Sequence, residues 1–172
     1  MSDYQQEIVR LLPRLRRMAW ALARGNGSAG ADGDDLLQRT VERALERADE
    51  RKAGIRLDLW MMRVMKNLWI DEMRMRNRWN RLVEPMPEHD VVGDEGAIAD
   101  GVIDAVELAR IRAMVEELPE EQRLAVKLVL LGGHSYTEAA EILEVPEGTL
   151  TSRLARGRAA LLQRYQTGRT RH

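Results

Sequence analysis

Apolar residues at Leu11, Leu12, Leu15, Met18, Ala19 and Leu22 recur at the three- and four-residue spacing of one helix face. The pattern stops in Gly25-Asn26-Gly27-Ser28, a run of turn formers. A second helix is expected from Asp34, whose carboxylate can cap the first free N–H groups, through Leu36, Leu37, Val41 and Leu45. Lys52-Ala53-Gly54 breaks it, and a third helix from about Asp58 to Arg78 has its apolar face at Met61, Val64, Met65 and Leu68. Pro85 and Pro87 stop further helix. Helical spacing resumes near Ile103 with Val106, Leu108, Ile111 and Val115. Pro119 suits a first helical turn, and the helix it opens carries Leu124, Leu128 and Leu131 up to Gly132-Gly133. Ser135-Tyr136-Thr137-Glu138 has the form of a capping box, in which hydroxyl and carboxylate each satisfy the other residue's amide. The short helix it starts, about Tyr136 to Leu143, turns at Glu144-Val145-Pro146 into a last helix from Glu147 to about Gln166. No alternating strand pattern occurs. The expected fold is all-α: two small helical domains joined by a flexible acidic linker, the C-terminal one a helix-turn-helix. The expected boundaries are 1–82, a linker over 83–102, and 103–172.

Composition supports helix-on-helix packing: 172 residues, 44% apolar and 32% charged, with no Phe. The absence of Cys excludes disulfide scaffolds and Cys-based metal sites and suits a reducing cytoplasm. The first ten residues lack an apolar signal core, and no apolar stretch approaches the roughly 20 residues of a membrane span, so no membrane insertion is expected. The net charge of −1 hides strong segregation. Arg63, Lys66, Arg74, Arg76, Arg78 and Arg81 face only Asp71 and Glu72 in their stretch. The stretch from Glu84 to Asp100 is acidic without a single Lys or Arg, and the tail beyond Glu147 is basic again.

A short capped helix, a three-residue turn and a longer basic helix make a DNA-reading helix-turn-helix, or else an ordinary helical hairpin with a solvated basic face. On the last helix, Leu150, Leu154, Gly157 and Leu161 form one stripe, and Ser152, Ala155, Arg156 and Ala159 lie opposite. N-terminal residues of such a helix reach base edges, which selects Thr151, Ser152, Ala155 and Arg156, with Thr149 among the further DNA contacts. Arg156 can fork onto guanine and Ala155 can touch a thymine methyl, while Arg153 and Arg158 suit phosphates. In the third helix, Arg63, Asn67 and Arg74 share a face away from the apolar stripe; with Lys66, Arg76 and Arg78 they suit capture of an exposed base and its phosphates. Trp60 and Trp69 read as packing, as do the Met residues; Trp79 fits packing or base stacking equally.

Leu118-Pro119-Glu120-Glu121-Gln122-Arg123, Ser135 to Leu143, and Gly148 to Arg158 resemble region 4 of the extracytoplasmic-function sigma factors, in order and in spacing. Ala155 stands where that family often has a larger side chain. Asp34-Asp35-Leu36-Leu37-Gln38-Arg39-Thr40 resembles the region 2 segment that docks on core RNA polymerase, and Leu59 to Val64 with Asn67 and Asp71 resembles the helix that melts and reads the −10 element. The resemblance implies a −35 reader in the C-terminal domain. It implies polymerase contacts on the β′ coiled coil through Asp35, Leu36, Gln38, Arg39, Thr40 and Glu42, and on the β flap. It further implies a base pocket helped by residues 52–57, a linker near the polymerase active-site channel, and control by an anti-sigma factor.

Three other functions compete. A sigma-like mimic would sequester an anti-sigma factor without binding DNA, and Arg153, Arg156 and Arg158 speak against it. A conventional regulator would use the helix-turn-helix alone, leaving the Asp35–Thr40 block unexplained. Catalysis is disfavoured: His89, His134 and His172 lack ligand spacing, and Gly25 to Gly33 lacks the strand and lysine of a phosphate loop. No cofactor is expected.

Overall fold

A computed structural model describes residues 1–24, 29–82 and 105–169, the side chains of 29–31 and 169 excepted. The described residues are helical, and the chain divides into two compact units within 1–92 and 93–172. The acidic segment over 83–102 lies outside the described residues.

The first unit packs three helices against one another: α1 (Asp3–Ala23), α2 (Ala29–Glu46) and α3 (Leu57–Leu82). α1 starts from a capping box not recognised in the sequence, in which Gln5 N–H donates to Ser2 Oγ at 3.3 Å and Ser2 N–H to Gln5 Oε1 at 2.8 Å. It continues through Pro13, whose ring faces solvent. Leu15, Met18, Ala19 and Leu22 are buried, as their spacing predicted. α2 begins five residues before Asp34, so Asp34 is no cap; it lies in the second turn and accepts a hydrogen bond from Trp20 Nε1 at 3.1 Å. Its buried stripe is Leu36, Thr40 and Ala44, whereas the predicted Leu45 is 45% exposed. The small Ala44 allows close approach of α1, where Tyr4 Oη donates to the Ala44 carbonyl at 2.9 Å. A 3-10 turn at Ala48–Glu50 and Gly54, at φ +88, reverse the chain into α3. α3 buries Leu57, Leu59, Trp60, Met61, Met62, Met65 and Trp69, then runs four residues beyond the predicted end.

The second unit comprises α4 (Ala105–Glu116), α5 (Glu120–Val126), a π-helical turn over Lys127–Leu131, α6 (Tyr136–Leu143) and α7 (Glu147–Arg169). On α4 only Val115 is buried and Val106 is 74% exposed, so the predicted apolar face is only partly used. Pro119 precedes the first turn of α5 as its cap residue rather than standing inside it. Gly133, at φ +68, ends the π turn. The predicted capping box of α6 is formed, with Glu138 N–H to Ser135 Oγ and Ser135 N–H to Glu138 Oε2 both at 3.1 Å. α6 ends on Glu144 in the left-handed region, which delivers the chain through Val145-Pro146 into α7. Leu150, Leu154 and Gly157 are buried on α7, with Leu161 partly covered. Gly157 has no Cβ because a Cβ there would stand 2.9 Å from the Val126 Cγ2 of α5.

Candidate nucleic-acid and partner interfaces

Packing of Leu150, Leu154 and Gly157 turns Thr151, Ser152, Ala155 and Arg156 to solvent on the other side of α7. Thr149 is half-buried. Thr151 donates back to the Glu147 carbonyl at 2.9 Å, which leaves its oxygen lone pairs and methyl outward. Arg153 donates to Glu121 at 3.1 Å and Arg158 to the Tyr136 hydroxyl at 3.3 Å, so both guanidiniums are held at the flanks by other helices. Arg156 has no such anchor among the described residues. The arrangement places one exposed cation and three small side chains at the accessible end of α7. Base edges in a major groove can be read by that combination.

The basic face of α3 is less uniform than its sequence. Asn67, Arg74 and Arg78 are exposed and Arg63 is half-buried, all on one side. Lys66 points inward and is only 7% exposed. Arg76 is tied down: it donates to Asp32 at 3.1 Å and to Glu72 at 2.6 Å. The Asp32 hydrogen bond, with the charge of Glu72, raises the Arg76 pKa and fixes its charge. Glu72 also accepts from Arg39 at 2.7 Å, and Arg39 lies 3.6 Å from Asp35. An ion-pair chain therefore joins α2 to α3, through residues that spacing alone could not connect.

On α2, Asp35, Gln38 and Glu42 are exposed along one face with Arg39 beside them, and Gln38 donates to Glu42 at 2.9 Å. Leu36 and Thr40 point the other way, both fully buried; the Thr40 hydroxyl donates to the Leu36 carbonyl at 2.7 Å. The block thus consists of an outer polar face and an inner anchor.

At the start of α3, Asp58 is nearly buried and receives two guanidiniums, from Arg14 of α1 at 2.5 Å and from Arg56 through bonds of 3.1 and 2.7 Å. Burial opposes its ionisation, but the Arg56 hydrogen bonds and the charges of Arg56 and Arg14 outweigh that and hold the carboxyl below its usual range. Arg51 donates to the Ile55 carbonyl at 3.1 Å. The turn over residues 51–57 is therefore clamped from both sides. Neither Arg14 nor Asp58 was singled out in the sequence, because their pairing spans 44 residues.

Comparison with known proteins agrees with this geometry. Residues 108–161 match the model of Sigma-70, region 4, and residues 8–66 match that of the Sigma2 domain of PhyR. The ECF RNA polymerase sigma factor EcfG of Rhodopseudomonas palustris is 32% identical over 160 residues, 93% of this chain and 83% of that protein. The chain belongs to the ECF RNA polymerase sigma factors.

A second member of this family, SigC of Mycobacterium tuberculosis, is 35% identical over 130 residues, 75% of this chain and 68% of that protein. Among solved structures, the sigma factor RpoE of Bartonella quintana, crystallised with the anti-sigma factor NepR, superposes with a TM-score of 0.71 at 28% identity, covering 95% of this chain and 96% of that one. The region 4 match contains α6 and the exposed face of α7. The region 2 match contains the α2 face and stops at Lys66, before Asn67, Arg74 and Arg78. No helix among the described residues is long and apolar enough to cross a membrane.

Proposed function

We propose that this ECF sigma factor docks on the β′ coiled coil of core RNA polymerase through Asp35, Gln38, Arg39 and Glu42. Leu36 and Thr40 hold that face in shape from behind. Asn67, Arg63, Arg74 and Arg78 take the −10 strand, with the clamped turn over 51–57 beside them. Thr151, Ser152, Ala155 and Arg156 read the −35 duplex, while Arg153 and Arg158 position the helix on phosphates. The second unit meets the β flap. The chain performs no catalysis of its own and acts in the cytoplasm, where the polymerase is. An anti-sigma factor controls it, as the NepR-bound relative suggests. The observation that carries this function is the exposed, cation-bearing face of α7, set opposite a closed core stripe.

Run-off transcription with purified core enzyme tests it. Addition of the protein is expected to produce promoter-specific transcripts, and Arg156→Ala to reduce them without loss of core binding. Core binding without transcription from any promoter would point instead to a sequestering mimic. Operator binding without polymerase would point to a conventional regulator.

A further inference from the structure

α3 carries apolar residues past the end of its bundle. Met75, Trp79 and Leu82 are 61%, 67% and 83% exposed, at spacings of four and three residues that align them along one side. Earlier in the same helix Leu57, Leu59, Trp60, Met61, Met62, Met65 and Trp69 are buried, and Val64, Leu68, Ile70 and Met73 are half-buried. Beside this stripe lies a shallow groove lined by Asp71, Arg74, Met75, Asn77, Arg78 and Arg81. Arg63 and Asn67 continue its basic edge toward the start of the helix.

The chemistry of the two stripes restricts what can cover them. A neutral apolar partner laid on Met75, Trp79 and Leu82 would also desolvate neighbouring guanidiniums, at a cost no apolar contact offsets. A strand of nucleic acid meets both demands together: phosphates for the arginines and the π-face of an unstacked base for the indole. Trp79 stands five residues beyond Arg74, about 7.5 Å along the helix axis, so the base it meets neighbours the one at Arg74. We propose that Trp79 is a stacking platform for an unpaired base of the melted promoter strand, with Arg78 and Arg81 on the adjoining phosphates. This rests on α3 being the −10 helix and lengthens the footprint assigned to it.

The test uses holoenzyme assembled from this protein and core RNA polymerase, with a labelled single-stranded oligonucleotide carrying the −10 strand of a promoter it transcribes. Trp79→Ala and Trp79→Leu are expected to weaken strand binding about 5- to 150-fold, the range for loss of one base–aromatic stack. Trp79→Phe should retain most of the affinity, and all three should bind core enzyme as the parent does. Leu performing as well as Trp would overturn the proposal, since it supplies apolar area without a π-face. Tighter strand binding by Trp79→Ala would also overturn it, marking the surface as a seat for the chain's own acidic segment. Loss of core or anti-sigma binding in place of strand binding would assign the surface to a protein. Asn67→Ala separates the two levels: loss there with Trp79→Ala unchanged sinks the stacking alone, whereas no loss in either sinks the −10 assignment of α3.

Discussion

Glu116→Gln should unfold the second unit at a markedly lower temperature without touching the first. The Lys127 side chain is 2% exposed, and its ammonium sits 2.5 Å from an oxygen of Glu116, whose side chain is 21% exposed. The amide of Gln keeps the shape but withdraws the Glu116 countercharge from a buried cation. That loss costs about 3–5 kcal/mol in closed sites, and the partial exposure of Glu116 favours the lower end. For a unit of this size, about 3 kcal/mol corresponds to a fall in Tm of roughly 12–24 °C. Lys127→Met combined with Glu116→Leu removes both charges together with their desolvation penalty, so the pair of substitutions should cost no more than about 1 kcal/mol. Burial lowers the Lys127 pKa, and Glu116 opposes that shift. The unfolded chain therefore holds its proton at pH values where the folded one has lost it, and stability rises with pH between the folded pKa and the ordinary lysine pKa near about 10.4. Without Glu116 that window opens lower, so the deficit is larger at neutral pH than under alkaline conditions. The four tryptophans, Trp20, Trp60, Trp69 and Trp79, all lie in the first unit. Far-UV circular dichroism reads both units, and tryptophan fluorescence reads the first. A Glu116→Gln melt within about 3 °C of the parent at neutral pH, or a deficit equal at pH 7 and pH 10, would refute the charge argument.

Arg156→Ala should cost about 1–3 kcal/mol at promoters with the preferred −35 base and little at others, whereas Arg158→Ala should weaken all promoters alike; a panel of −35 variants in a duplex-binding assay separates them. Asp58→Asn should destabilise the first unit by about 3 kcal/mol, read by tryptophan fluorescence, because Arg14 and Arg56 lose their shared countercharge. Since the folded Asp58 pKa is depressed, its contribution is complete above the ordinary carboxylate range near about 4 and disappears as pH falls below it; Asp58→Asn should therefore flatten the acid limb of the stability curve. Gly157→Ala adds about 1 kcal/mol of helix propensity but drives a Cβ to 2.9 Å from Val126 Cγ2, so a net loss of about 1 kcal/mol is expected in a urea melt, recovered when Val126→Ala is added.

Periodicity recovered what depends on neighbours a few residues apart. The α7 stripe, the α6 capping box and the buried face of α1 follow from spacings of three and four. Contacts between distant segments were not legible. Asp34 has the side chain of a cap, but Ala29 and Gly30 already continue the helix upstream, and Trp20 takes its carboxylate. Val106 and Met75 follow a helical pattern, yet stand 74% and 61% exposed. Lys66 counts as positive charge in any sum and is nevertheless turned inward. The π turn at Lys127 has no Gly or Pro to announce it, and the Glu116 partner that makes a buried lysine tolerable lies 11 residues away on another helix.

A sum of arginines therefore overstates the cationic surface offered to DNA. Arg76 and Arg39 spend their charge on Asp32, Asp35 and Glu72, and Arg14 and Arg56 on Asp58. In the second unit, Arg164 is shared with Glu117. Each phosphate contact contributes about one unit to the salt dependence of binding, so the few uncommitted cations on either unit should give only shallow salt slopes and weak affinity alone. Two weak contacts on one chain gain strength once polymerase holds both near the same promoter, because the second then forms at high local concentration. On the proposed function, the internal ion pairs keep the free protein off bulk DNA, while exposed cations such as Arg78, Arg81 and Arg156 meet promoters presented by the enzyme. Replacing Asp32 and Glu72 together by their amides removes both countercharges of Arg76 and should raise the affinity of the free protein for nonspecific DNA, with a steeper salt slope.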